Sequence, residues 1–213
     1  MDMKRDQRDD DLPEDTILQR ALSESPYERK RVEAFSHFKQ PIPRKLTIQG
    51  ALLGSLVLLL PLYSLYPAEA AAYLPSMDPV VASPKVLLLG AFGASIEVAT
   101  AVLLVGVALY RVKHEPVTEE EARTLFNVET FASYLGFGTG GLVIALTLGF
   151  FTLGMGGESA LMWYVDTMNG RNPFTGTGTS FSVGHLAAFA LAGALAIAIA
   201  RGYVATALGS IDT

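Results

Sequence analysis

Cysteine is absent from the 213 residues, which excludes a disulfide, a thiolate metal site, a cysteine nucleophile and a Cys-ligated iron–sulfur cluster. Charge is scarce: Asp, Glu, Lys and Arg make up 17% of the chain, and long stretches carry almost none of it. The sequence also lacks Gly-x-Ser-x-Gly, His-Glu-x-x-His and a glycine-rich loop ending in Gly-Lys-Ser/Thr, so neither hydrolytic nor nucleotide-binding chemistry has a motif. No carboxylate pair falls within an apolar segment, and enzyme is the least supported class. The net charge of −5 arises where acids and bases are interspersed, which argues against a nucleic-acid partner.

Half the residues are hydrophobic, a balance that a water-soluble domain of this length would struggle to keep off its surface. Lipid must be the solvent for much of the chain. A helix needs about 20 apolar residues to cross a hydrocarbon core about 30 Å thick, and four stretches meet that test. They cover residues 46–66, 86–110, 130–155 and 181–208. The expected fold is therefore all-α: a polytopic membrane protein with a four-helix transmembrane domain over residues 46–213. Residues 1–45 form a charged tail too long for the n-region of a signal peptide.

Basic residues near span ends are retained in the cytoplasm, so counting Lys and Arg by side orients the bundle. The tail holds ten, from Lys4 to Lys45, and the second loop adds Arg111, Lys113 and Arg123; the other side has only Lys85 and Arg171. Both termini are expected to be cytoplasmic.

The tail reads as two short amphipathic helices. The first has Pro13 in its opening turn and Ile17, Leu18, Ala21 and Leu22 on one face. The second opens on the capping box Ser25-Pro26-Tyr27-Glu28 and groups Tyr27, Ala34, Phe35 and Phe38, a face expected to lie along the membrane interface. Thr118 and Glu121 form another capping box, followed by a short amphipathic elbow leading into the third span. On the opposite side, Trp163, Tyr164 and Phe174 form an aromatic set expected at the headgroup level.

An ionisable side chain within a span is a functional hypothesis by default, and Glu97 is the clear case. It shares a helical face with Gly90 and Gly93, small residues that let another helix approach, so it should point into the bundle, protonated or hydrogen-bonded. A depth estimate puts it about 16 Å from the nearer end of its span. The same level falls near residues 138–141 in the third span and near Gly54 and Ser55 in the first. The glycine-rich segment around it is expected to kink or unwind the third span, exposing carbonyls to a cation or water. Glu97, Thr139 and Ser55 are the expected proton or cation site. The competing reading makes Glu97 a lock between helices.

His185, near one end of the fourth span, is the candidate ligand for a single-ligand haem or pigment, with an interfacial histidine as the default; no cofactor is otherwise expected. Gly184, Ala188, Ala192 and Ala196 recur every four residues as a ridge for helix packing, and Gly50 and Gly54 repeat it in the first span. No internal repeat relates the two halves. The favoured function is a non-catalytic structural or accessory subunit of a larger membrane protein complex, possibly an energy-transducing one, with the lipid bilayer and other membrane subunits as partners. The alternative is a small proton or cation channel or carrier centred on Glu97.

Overall fold

The computed structural model describes residues 26–27 and 40–210, and within them the chain is helical without a strand. Four helices are long and apolar enough to cross a membrane: α1 (Ile42–Ser64), α2 (Val86–His114), α3 (Glu119–Gly154) and α5 (Val183–Gly209). Between α3 and α5 lies the shorter α4 (Gly157–Thr167). The fold is that of a polytopic membrane protein.

Local chemistry sets where these helices start, bend and stop. Pro41 caps α1 in extended conformation and Pro43 sits in its first turn, where a missing N–H costs nothing. Further along, Pro61 cannot donate to Val57 and its ring crowds that carbonyl, and α1 tightens to 3-10 geometry over Leu56–Leu58. Helix α2 closes on Arg111, Lys113 and His114, cations that complement the negative end of its dipole, before Glu115 turns extended ahead of Pro116. The Thr118–Glu121 capping box forms as expected, with Glu119, Glu120 and Glu121 at the positive end of α3.

Residues 119–129 are not a separate elbow. They continue into the third span as one helix, passing through a π-helical stretch at Tyr134–Gly140. The glycines therefore change the helical repeat without unwinding the span. At this end of the molecule α1 also starts deeper than its neighbours. Lys45, one turn into α1, lies beside Glu129, ten residues into α3, so the α2–α3 hairpin extends past the start of α1 by about 10 Å.

Helix α2 is the hub. A Cβ at Gly90 would lie 2.9 Å from Leu186 and 3.0 Å from Thr147, and one at Gly93 would lie 3.0 Å from Ile144. The expected packing role of Gly90 and Gly93 is thus realised against α3 and α5. Gly50 and Gly54 bring α1 against Ile197 and Ala194 of α5. The regular ridge on α5 behaves differently: Ala188, Ala192 and Ala196 are exposed, and Gly184 rests on Pro79 and Val80 of a loop. The inward face runs instead through Leu186, Ala190 and Ile197. Ala188 and Ala192 lie two residues on from that line, about 200° around the helix, and so point away from the bundle, while Ala196 lies one residue before Ile197, about 100° off it.

The far end is closed by paired loops and aromatic rings. Val86 donates to Pro173 and Thr177 to Ser83, at 2.9 and 2.8 Å, tying the loop before α2 to the loop before α5. Tyr66 donates to the Phe151 carbonyl at 2.8 Å and meets Phe174 edge-on, with ring centroids 6.4 Å apart. Phe174 is therefore core rather than headgroup belt, because Asn172 and the turn around it fold the segment inward. Trp163 is 63% exposed, as an interfacial ring would be.

Of the two expected tail helices, only Pro26 and Tyr27 fall within the described residues, and both are helical. Tyr27 does not lie along an interface: it is 1% exposed, inserted against the bundle. The faces built on Ile17, Leu18, Ala21 and Leu22, and on Ala34, Phe35 and Phe38, lie outside the described residues.

The close approach of α1's end to α3 yields a direct test. A Cβ at Gly154 would sit 2.1 Å from the Tyr66 ring, whereas Gly149 has nothing within 4 Å. Gly154→Ala should cost about 1–3 kcal/mol by overpacking, and Gly149→Ala should be neutral or slightly stabilising. Thermal unfolding in detergent distinguishes the two.

Candidate ion site

Glu97 is fully buried, with neither carboxyl oxygen hydrogen-bonded among the described residues. Two glycines of the π-helical stretch make the room for it. A Cβ on Gly140 would lie 2.8 Å from Oε1, and one on Gly136 would lie 3.5 Å from Oε2. The same Gly136 opening also admits Gln49 and Thr100, whose side-chain atoms would be 2.7 and 2.9 Å from that Cβ. Polar side chains of α1 and α2 thus share one cleft with the glycines of α3.

The hydrogen-bond directions follow from counting protons. Thr100 donates its single hydroxyl proton to the Ile96 carbonyl at 2.8 Å and accepts from Gln49 Nε2 at 2.7 Å. Gln49 is thereby oriented with Oε1 turned elsewhere, and that oxygen also has no partner among the described residues. The two Glu97 oxygens are acceptors without donors among the described residues, in a site closed off from solvent. Leaving a buried acceptor unsatisfied costs about 1–3 kcal/mol, so the cleft is suited to a proton or a small cation.

A second polar cluster lies toward the N-terminal end. Lys45 Nζ meets Glu129 Oε1 at 2.6 Å, with both side chains 3% exposed. Tyr27 donates its hydroxyl to the other Glu129 oxygen, and the Arg111 guanidinium lies 3.8 Å above the Tyr27 ring centroid. A buried pair of this kind repays its desolvation only when the remaining lone pairs are also satisfied, and here each carboxylate oxygen has a donor. Ser133, one turn along α3, donates to the Glu129 backbone carbonyl at 2.7 Å.

The site expected from the sequence is only partly assembled. Glu97 is where the helical face predicted, but Thr139 is exposed and Ser55 donates to its own helix at Leu52. Neither joins it. The depth estimate assumed straight α-helices with ends at one level. The π stretch turns Gly136 and Gly140 inward with Thr139 outward, and the deep start of α1 leaves Gln49 rather than Ser55 at this level. Gln49 went unread, and its only signal is that of an amide within the first apolar stretch, one turn beyond Lys45. Glu129 stood one residue outside the expected span, and so a second buried acid was missed.

His185 caps its helix. Its Nδ1 accepts from the Ser182 backbone N–H at 3.2 Å and pairs with the Ser182 hydroxyl at 2.8 Å. The ring is exposed and stacks on Phe181 at 6.3 Å, an interfacial position. No family model, curated protein or solved structure matches this chain.

The two acids should respond oppositely to neutral substitution. Glu97→Met removes unsatisfied oxygens and should hold or raise stability, by about 1 kcal/mol. Glu129→Gln strips Lys45 of its carboxylate and should cost about 3 kcal/mol. Thermal midpoints of the purified variants in one detergent measure both; a large loss in Glu97→Met would make Glu97 a structural lock.

Proposed function

We propose that the chain is a small proton or cation carrier of a multi-pass kind, with Glu97 as its central binding group. The observation that carries this reading is a fully buried carboxyl whose two oxygens lack partners among the described residues. A helix lock would be expected to spend those oxygens on a neighbouring donor, yet neither oxygen has one among the described residues, and Gln49 directs an N–H to Thr100 instead. The π-helical stretch beside it supports the reading, since such irregularities recur at functional positions in otherwise regular helices. With Glu129 there is a second buried acid, which removes the main argument for a purely structural role. We further infer that both termini are cytoplasmic, because Arg44, Lys45, Arg111, Lys113 and Arg123 gather at one end of the bundle and Lys85 and Arg171 at the other.

A second reading, an accessory subunit of a larger membrane assembly, is favoured by the outward ridge of Ala188, Ala192 and Ala196, a surface that permits close contact with another helix. The two are compatible. Co-purifying chains in stoichiometric amount after mild extraction would support it, and a lone chain or homo-oligomer would remove it.

Flux in proteoliposomes tests the carrier. An imposed pH or cation gradient should collapse through the wild type, and Glu97→Gln should abolish that flux while the protein elutes and melts as the wild type does. No flux in the wild type, or equal flux in the variant, overturns the proposal.

A further inference from the structure

We propose that the Lys45–Glu129 pair is the station through which Glu97 exchanges its ion with the N-terminal end of the bundle, and that Tyr27 is the cover over it. This rests on the carrier reading of Glu97. The two clusters are joined along the seam between α1 and α3. Lys45 and Gln49 are four residues apart on α1, and Glu129, Ser133, Gly136 and Gly140 follow at four, three and four on α3, so each set lies on one helical face. All six are buried. Each step along that face rises about 5–6 Å, within reach of a side chain or one bridging water.

Beyond Glu97 in the other direction the described residues offer no such file. Gly93 meets Val143 and Ile144, and the next layer is Leu87, Leu186 and Phe151. Thr147, the polar side chain there, donates to its own helix at Val143. Behind it stand Tyr63 and Tyr66, whose hydroxyls are committed to the carbonyls of Ser76 and Phe151. In this conformation access is therefore from one side, and release to the other requires a second conformation.

At the open end Tyr27 does two things at once. Its hydroxyl takes the Glu129 oxygen that Lys45 leaves free, so both oxygens carry donors while the ring is seated. Its ring fills the gap left by the deep start of α1 and is held from above by Arg111. Withdrawal of Tyr27 uncovers Glu129 Oε2 as an acceptor and opens the seam toward Gln49 and Glu97.

Carboxyl modification tests the route without relying on flux. Proteoliposomes of the full chain are treated from either face with a water-soluble carbodiimide and an amine, and mass spectrometry reads the labelling of Glu97 and Glu129. In the wild type both should label slowly. Tyr27→Ala should speed both by roughly tenfold, from the N-terminal face only, since a cation–π contact and a hydrogen bond to a charged group are lost together. Tyr27→Phe, which keeps the ring, should speed Glu129 alone. Unchanged Glu97 labelling in a folded Tyr27→Ala protein, or equal acceleration from the opposite face, overturns the proposal. If Tyr27→Ala does not fold, unchanged Glu129 labelling in Tyr27→Phe does so. Should Glu97→Gln leave flux unaltered while Tyr27→Ala still opens Glu97, the access route stands and the carrier reading falls.

Discussion

Between helices in lipid, apolar contact supplies little net attraction, because the tails they displace are equally apolar; association depends on how closely backbones approach and on the polar contacts this permits. The bundle is organised by that constraint. Gly90 and Gly93 bring α2 against Thr147, Ile144 and Leu186, while Gly50 and Gly54 bring α1 against α5. Where glycines of α3 face α2, at Gly136 and Gly140, the space is given to Glu97, Gln49 and Thr100 instead of to further packing. One device, the missing side chain, thus serves both assembly and the candidate site.

The two buried acids are handled in contrasting ways. Glu129 has a cation on one oxygen and a phenol on the other, a fully satisfied carboxylate that ties Tyr27 to the α2–α3 hairpin. Glu97 has neither, although Gln49 and Thr100 stand beside it. Glu129 is thus covered by its donors in this structure, whereas Glu97 keeps both oxygens open. The cost is borne by a bundle whose far end is cross-tied by loop hydrogen bonds and the Tyr63–Tyr66–Phe151 cluster.

Much of the fold was legible. Capping at Thr118 depends on three neighbouring residues, and the spans depend on composition over about 20, so both are local and both appear where expected. Glu97 was legible because an acid in hydrocarbon stands out against its own segment. Its neighbours were not. Thr139 and Ser55 were chosen by depth on ideal helices, and the π stretch together with the deep start of α1 moved the level to Gly136, Gly140 and Gln49. Glu129 escaped because hydropathy windows end at charges, although a charge that finds a buried partner does not end a helix.

The sequence by itself determined the number of spans, the capped start of α3, and the presence of one acid deep in a span, since each follows from residues adjacent along the chain. Only the tertiary structure decided which polar groups meet Glu97, that Lys45 and Glu129 pair across 84 residues, and that the alanine ridge of α5 faces outward. Those outcomes depend on the relative depth and rotation of whole helices. A stagger of about 10 Å or a single π turn, each the sum of many weak contacts, is enough to change them.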